Sequence, residues 1–159
     1  MGNDASGERA LVPSGLKGLP WFAGCTDAQL VELASLCEHL AIDAGEVILR
    51  EGRLGRELFI IVDGEVTVTR RGTVVNVLGP GDYFGELGAI EAAPRNATVT
   101  ATTALDVLVI GPREFDAIMS IPAIRNALLR GMSRRIREAD ARQLGDEVRA
   151  PAGDTAAPG

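Results

Sequence analysis

Aromatic side chains are scarce, at 4% of the 159 residues. With 46% of the chain hydrophobic, the core has to be built from Val, Ile, Leu and Ala. Lysine is almost missing: of 16 basic residues only Lys17 is not an arginine, a bias that points to GC-rich coding and a bacterial source. His39 is the one histidine, and Cys25 and Cys37 are the only cysteines. A metal centre needs more ligands than these, so none is expected. Two thiols without a secretory leader read as reduced and buried, in a cytoplasmic protein. No apolar run approaches the roughly 18 residues of a membrane span. Basic charge is also short, with a formal net charge of −6 and a pI near 4.8. General nucleic-acid binding, which draws its affinity from a basic face, is therefore not expected. The length predicts one domain with tails.

What is present is a change of period along the chain. Residues 1–15, rich in Gly, Ser and charge, read as a disordered leader. Thr26-Asp27 is a helix cap, and Leu30, Leu33, Ala34 and Cys37 follow at helical spacing, predicting a helix over about 27–37 that packs on the domain. From His39 the period becomes that of strands. Val47-Ile-Leu, Glu57 to Val62, Val66 to Thr69, Thr73 to Leu78, Ala97 to Thr103 and Leu105 to Ile110 are short β runs. Gly45, Gly52, Gly64 and Gly81 stand in the turns between them. Such spacing predicts a β-sandwich or barrel. Pro112 opens a helix, Pro122 interrupts it, and a second helix is expected over about 123–142. Ile124, Leu128, Met132, Ile136 and Ala139 form its apolar stripe. Residues 143–159 read as a disordered tail, which leaves 16–142 as the domain.

One stretch, residues 81–98, holds the chemistry. Phe84-Gly-Glu-Leu-Gly is followed, nine residues after Glu86, by Arg95. Glycine allows a backbone to approach a ligand closely. Free N–H groups of a short helix suit an anion, and a planar guanidinium suits a phosphate. Glu86 would repel a phosphate but can accept from sugar hydroxyls. An anion, a hydroxyl and an apolar surround together point to a small phosphorylated nucleoside. The plain alternative is a structural ion pair between Glu86 and Arg95, and exposed pairs contribute only about 0–1 kcal/mol.

Helix, strands, cassette and two helices in this order resemble the cyclic-nucleotide-binding domain family, over about residues 16–140. Phe84 to Gly88, and Pro94-Arg-Asn-Ala-Thr-Val, match its phosphate-binding cassette. The resemblance implies a mainly β fold: an eight-stranded jelly roll with an inserted cassette helix and flanking helices. It implies that Arg95 binds the phosphate oxygens, that Glu86 accepts from the ribose 2′-hydroxyl, and that backbone N–H groups of Gly85, Leu87, Gly88 and Ala89, with Asn96 and Ala97, complete the cradle. Leu87 is expected beneath the cassette, and Val68, Val75 and Phe84 beside the base. Arg135 lies where some members place a side chain that caps the base; the plainer reading is a solvated arginine on a helix face. The family tends to carry Ser or Thr after the cassette arginine where it uses cyclic GMP. Asn96 stands there, so cyclic AMP is the expected ligand and cyclic GMP the alternative.

The expected function is a stand-alone sensor, not an enzyme, that signals to an unidentified effector by moving its last helices. No cofactor is expected. A homodimer along the last helix is one use of its stripe, and burial within the monomer is the other. The short Gly/Pro/Ala-rich tail leaves no room for a helix-turn-helix, so DNA binding by the chain alone is not expected. The competing readings are an interaction module of the same fold without nucleotide binding, and the regulatory fragment of a longer protein.

Overall fold

The computed structural model describes residues 16–149, with side chains as far as Gly145. The expected leader 1–15 and residues 150–159 of the expected tail lie outside the described residues. A 3-10 turn at Pro20–Phe22 buries Trp21 and Phe22. Helix α1, Asp27–Leu36, begins at a capping box in which Thr26 and Gln29 exchange side-chain and backbone hydrogen bonds. Its Leu30 and Leu33 are fully buried.

Eight strands follow: β1 Glu38–Ile42, β2 Val47–Leu49, β3 Leu58–Asp63, β4 Val66–Arg70, β5 Thr73–Leu78, β6 Tyr83–Phe84, β7 Thr98–Ala101 and β8 Leu105–Ile110. Helix α2, Glu86–Ile90, stands between β6 and β7. Helices α3, Pro112–Met119, and α4, Pro122–Arg149, close the described chain. The strands form two four-stranded antiparallel sheets, in the orders β1-β8-β3-β6 and β2-β7-β4-β5. This is the jelly roll with flanking helices. The two-residue strand β6 falls inside the stretch read as ligand cassette, too short to announce itself by alternation.

Strands β3 and β8 explain why Leu58-Phe-Ile-Ile and Val107-Leu-Val-Ile are unbroken apolar runs. These two strands are covered on both faces. Phe59, Ile61, Val107 and Val109, with Phe84 of β6 beside them, face the second sheet, where they meet Leu49, Val66, Leu78 and Val99. Leu58, Ile60, Leu108 and Ile110 face the helices, where they meet Phe22, Leu30, Leu33, Ile118 and Ile124. The second sheet is covered on one face only, so its strands alternate: Thr67 and Thr100, paired across the ladder, lie on the outer face.

Helix α4 differs from expectation at its far end. It continues to Arg149, past the tail boundary placed after Arg142. Gly145 does not break it, since a lone glycine within a helix weakens it by only about 1 kcal/mol. The apolar stripe splits in two. Ile124 and Leu128 are buried in the monomer, whereas Ile136 is 62% exposed because the helix has by then left the core. Gly131 lets it pass close over β6: a Cβ there would meet the Tyr83 ring at 2.7 Å.

Candidate functional site

Glycine 85 sets the geometry of the cassette. It leaves β6 at φ 86°, in the left-handed region, and serves as the N-cap of α2. A Cβ on it would meet the Glu57 carbonyl at 2.6 Å. Three residues on, Gly88 lies against the Gly55 carbonyl and the Arg95 guanidinium, where a Cβ would come within 2.6 Å of Nη1. These two positions let the backbone of α2 settle directly onto Arg95. Glu86, Leu87 and Gly88 stand in the first turn of α2, whose N–H groups have no intrahelical acceptor.

Arg95 is buried, at 6% exposure. Its Nη1 donates to the Gly85 carbonyl at 2.9 Å, and its Nη2 donates to the Glu57 carbonyl at 3.0 Å and the Glu57 carboxylate at 3.3 Å. Burial pushes its pKa below the ordinary arginine range, opposed by the charges of Glu57 and Glu86. The backbone on either side is fixed too: the Arg95 N–H donates to Arg53, and Gly52 donates to the Arg95 carbonyl. Glu86 and Arg95 are therefore not paired with each other. Glu86 instead accepts from Arg135 Nη1 at 3.0 Å.

Arg135 is neither a solvated helix-face arginine nor a free cap. Besides Glu86, it donates through Nη2 to the Tyr83 carbonyl, and its guanidinium lies 3.9 Å from the centre of the Tyr83 ring. Helical spacing alone did not reveal this, because the partners come from β6 and α2, far away in the chain. Leu87 also departs from expectation. It is 45% exposed rather than packed beneath the cassette, because the inward positions of α2 are Gly88 and Ala89.

A cavity of about 410 Å³ joins these groups. One end is lined by Gly85, Glu86, Leu87, Gly88, Arg95, Asn96 and Ala97. Ala89, placed in the same cradle from the sequence, is instead buried on the core side of α2. The apolar wall carries Leu49, Val68, Val75, Leu78, Phe84 and Val99. Phe84 also stacks on Phe59, with ring centres 4.9 Å apart. Helix α4 lies along the third side through Met132, Arg135, Ile136, Glu138, Ala139 and Arg142. Sequence reasoning missed Leu49, Leu78 and Val99, and the polar residues Arg70, Asn76, Glu138 and Arg142. A β-bulge between Val68 and Thr69 shifts the β4–β5 register and brings Val75 and Asn76 together onto this wall. No periodicity announces such a shift.

The sequence model of the cyclic nucleotide-binding domain matches residues 39–121. The chain is 36% identical, over 113 residues, to the cAMP-dependent protein kinase regulatory subunit of Eremothecium gossypii, covering 70% of this chain and 25% of that protein. The crystal structure of Thermus thermophilus catabolite activator protein superposes with a TM-score of 0.70 at 26% identity, covering 78% of this chain and 61% of that one. The regulatory domain of Toxoplasma gondii PKA, crystallised with cAMP, gives a TM-score of 0.60 at 32% identity, covering 73% and 46%. The chain thus spans only part of these three proteins, a quarter of the Eremothecium subunit.

Proposed function

The chain belongs to the cyclic nucleotide-binding domain family, and we propose that it is a sensor of a cyclic mononucleotide, cyclic AMP ahead of cyclic GMP, which it binds without chemistry. The observation that supports this most is that one cavity has a glycine-and-arginine end, a carboxylate beside it and a valine-and-leucine wall. These match, in order, a phosphate, a sugar hydroxyl and a base. The relatives named for cAMP, and the Toxoplasma domain crystallised with it, favour the adenine form.

In this reading Arg95 binds the phosphate oxygens, together with the N–H groups from Gly85 to Gly88 and those of Asn96 and Ala97; the Ala89 N–H is taken by the Gly85 carbonyl. Its bonds to Gly85 and Glu57 hold the guanidinium in place and leave donors over. Glu86 accepts from the ribose 2′-hydroxyl with the oxygen that Arg135 does not use. The base lies against Val68 and Val75, with Phe84 behind. The binding unit is residues 16–142, with α4 carried on to Arg149. Helix α4 touches both the cassette and the cavity, so a ligand that favours one placement of α4 shifts its equilibrium by the difference in affinity for the two placements. The altered surface is read by an effector protein, or by a second copy along the exposed Ile136 and Leu144 face of α4.

Titration calorimetry with cyclic AMP and cyclic GMP tests the reading. Heat of binding is expected with both and tighter binding with cyclic AMP. No heat and no thermal stabilisation with either, at near-millimolar ligand, would leave a jelly-roll interaction module in its place.

A further inference from the structure

Both guanidiniums already placed at the ligand, Arg95 and Arg135, are each matched by a carboxylate. Arg95 lies 3.3 Å from Glu57, and Arg135 lies 3.0 Å from Glu86. An anion entering the cavity therefore meets two ion pairs rather than two free charges. The remaining arginines on the cavity wall are Arg70 and Arg142. Arg142 rides on the exposed far end of α4. Arg70 comes from the end of β4 and is anchored: its Nε donates to the Asn96 carbonyl at 3.1 Å. Among the described residues no carboxylate lies within 4.0 Å of it. Asn96 directly follows Arg95, so the anchor fixes Arg70 to the phosphate end of the cavity and not to the base wall.

We propose that Arg70 is a second anion-binding residue, supplying the unneutralised positive charge that draws the ligand's phosphate to the cassette. The assignment rests on the cyclic-nucleotide reading of this cavity. It gives the two arginines different tasks. Arg95, buried and already bonded, provides directed contacts at short range. Arg70, exposed and bonded through Nε, keeps its terminal nitrogens for the anion, and its effect is Coulombic and screened by salt. It also agrees with the place read from the sequence for the Asn96 backbone, in the phosphate cradle. The Asn96 carbonyl carries the Arg70 anchor, which places its backbone at the phosphate.

The test is titration calorimetry of wild type, Arg70→Gln and Arg70→Lys with cyclic AMP and cyclic GMP, at low and high potassium chloride. Arg70→Gln is expected to weaken both nucleotides about tenfold at low salt, and clearly less at high salt, as a screened charge requires. The loss should be the same for both bases. Arg70→Lys, which keeps the charge but not the planar fork, should recover most of the affinity. Since Arg70 is exposed, thermal unfolding without ligand should be unchanged. Wild-type binding that Arg70→Gln leaves intact overturns the assignment. So does a loss that salt does not diminish and lysine does not restore, which would make the Asn96 anchor the whole effect. Failure of the wild type to bind either nucleotide overturns the ligand reading itself, and Arg70 with it.

Discussion

Arg95 is held by three hydrogen bonds from its terminal nitrogens: the one to Gly85 stays within the cassette, and the two to Glu57 tie the cassette to the segment leading into β3. Arg95→Ala removes these bonds together with the phosphate contact. Hydrogen bonds to charged groups contribute about 1.5–3 kcal/mol each, so affinity for cyclic AMP should fall at least tenfold. The chain should also melt at a lower temperature without ligand, because the Gly85 and Glu57 carbonyls lose their donor. Calorimetry and a thermal melt read the two effects separately, and unchanged affinity would move the phosphate elsewhere. Tyr83 yields a second residue-scale prediction. Burial raises its hydroxyl from the ordinary value of 10.0 to about 12, with Arg135 pulling it back and Glu86 adding to the rise. A folded pKa above the unfolded one contributes stability that is fully present below pH 10 and is lost as pH climbs towards 12. Urea unfolding of wild type across that window should lose on the order of 2 kcal/mol through this group. Tyr83→Phe should show a correspondingly flatter profile, and equal slopes would place the titration elsewhere, for instance at Cys37, whose thiol burial also raises to about 12.

The elements are joined where α4 meets the cassette. Arg135 bridges Glu86 of α2 and the Tyr83 carbonyl of β6, so one helix reports on the residue proposed to hold the sugar. If the ribose hydroxyl takes the free oxygen of Glu86, Arg135 orients the carboxylate for it. Arg135→Ala and Glu86→Gln should then each weaken cyclic AMP, and the double variant should lose less than their sum. The coupling should be about 1 kcal/mol, in the range found for contacting residues. Independent losses would show that Arg135 acts on α4 alone. Much of this was legible in the sequence. Phe84 to Gly88 and Pro94 to Val99 carry the cassette because glycine and arginine are demanded by backbone approach and charge, both local requirements. Partners were not legible. Glu57 lies far from Arg95 in the chain, and nothing in its surroundings distinguishes it from any strand-flanking carboxylate. Leu87 was misplaced because an apolar residue in a short helix looks inward by habit, while here glycine and alanine take the inward positions. Asn76 depends on the β4–β5 bulge, which no alternation pattern reveals, whereas Arg70 follows Val68 by two residues on β4 and its side of the strand was open to alternation.

At the scale of the molecule, two kinds of support divide the chain. Strands β3 and β8 are buried on both faces, between the helical layer and the second sheet. Helix α4 is secured only along its first half, by Ile124 and Leu128 in the core and Gly131 over Tyr83. Beyond Met132 its described contacts with the domain run through Arg135, an Arg134–Asp82 pair at 4.0 Å and the cavity wall. No helix among the described residues is long and apolar enough to cross a membrane, so the exposed half of α4 is not a lipid anchor of that kind. Amides of β3 and β8 should therefore exchange only through global opening, while those of α4 from about residue 132 open locally. A base lying against Val68 and Val75 would place apolar surface beneath Met132 and Ile136 and raise the free energy of that local opening. Hydrogen exchange at short labelling times, with and without cyclic AMP, should show new protection at residues 84–97 and along 132–142, and none in β3 or β8. Protection confined to the cassette would mean that the ligand is held without α4. Signalling would then have to leave through α2 and its exposed Leu87 and Ile90 rather than through the last helix.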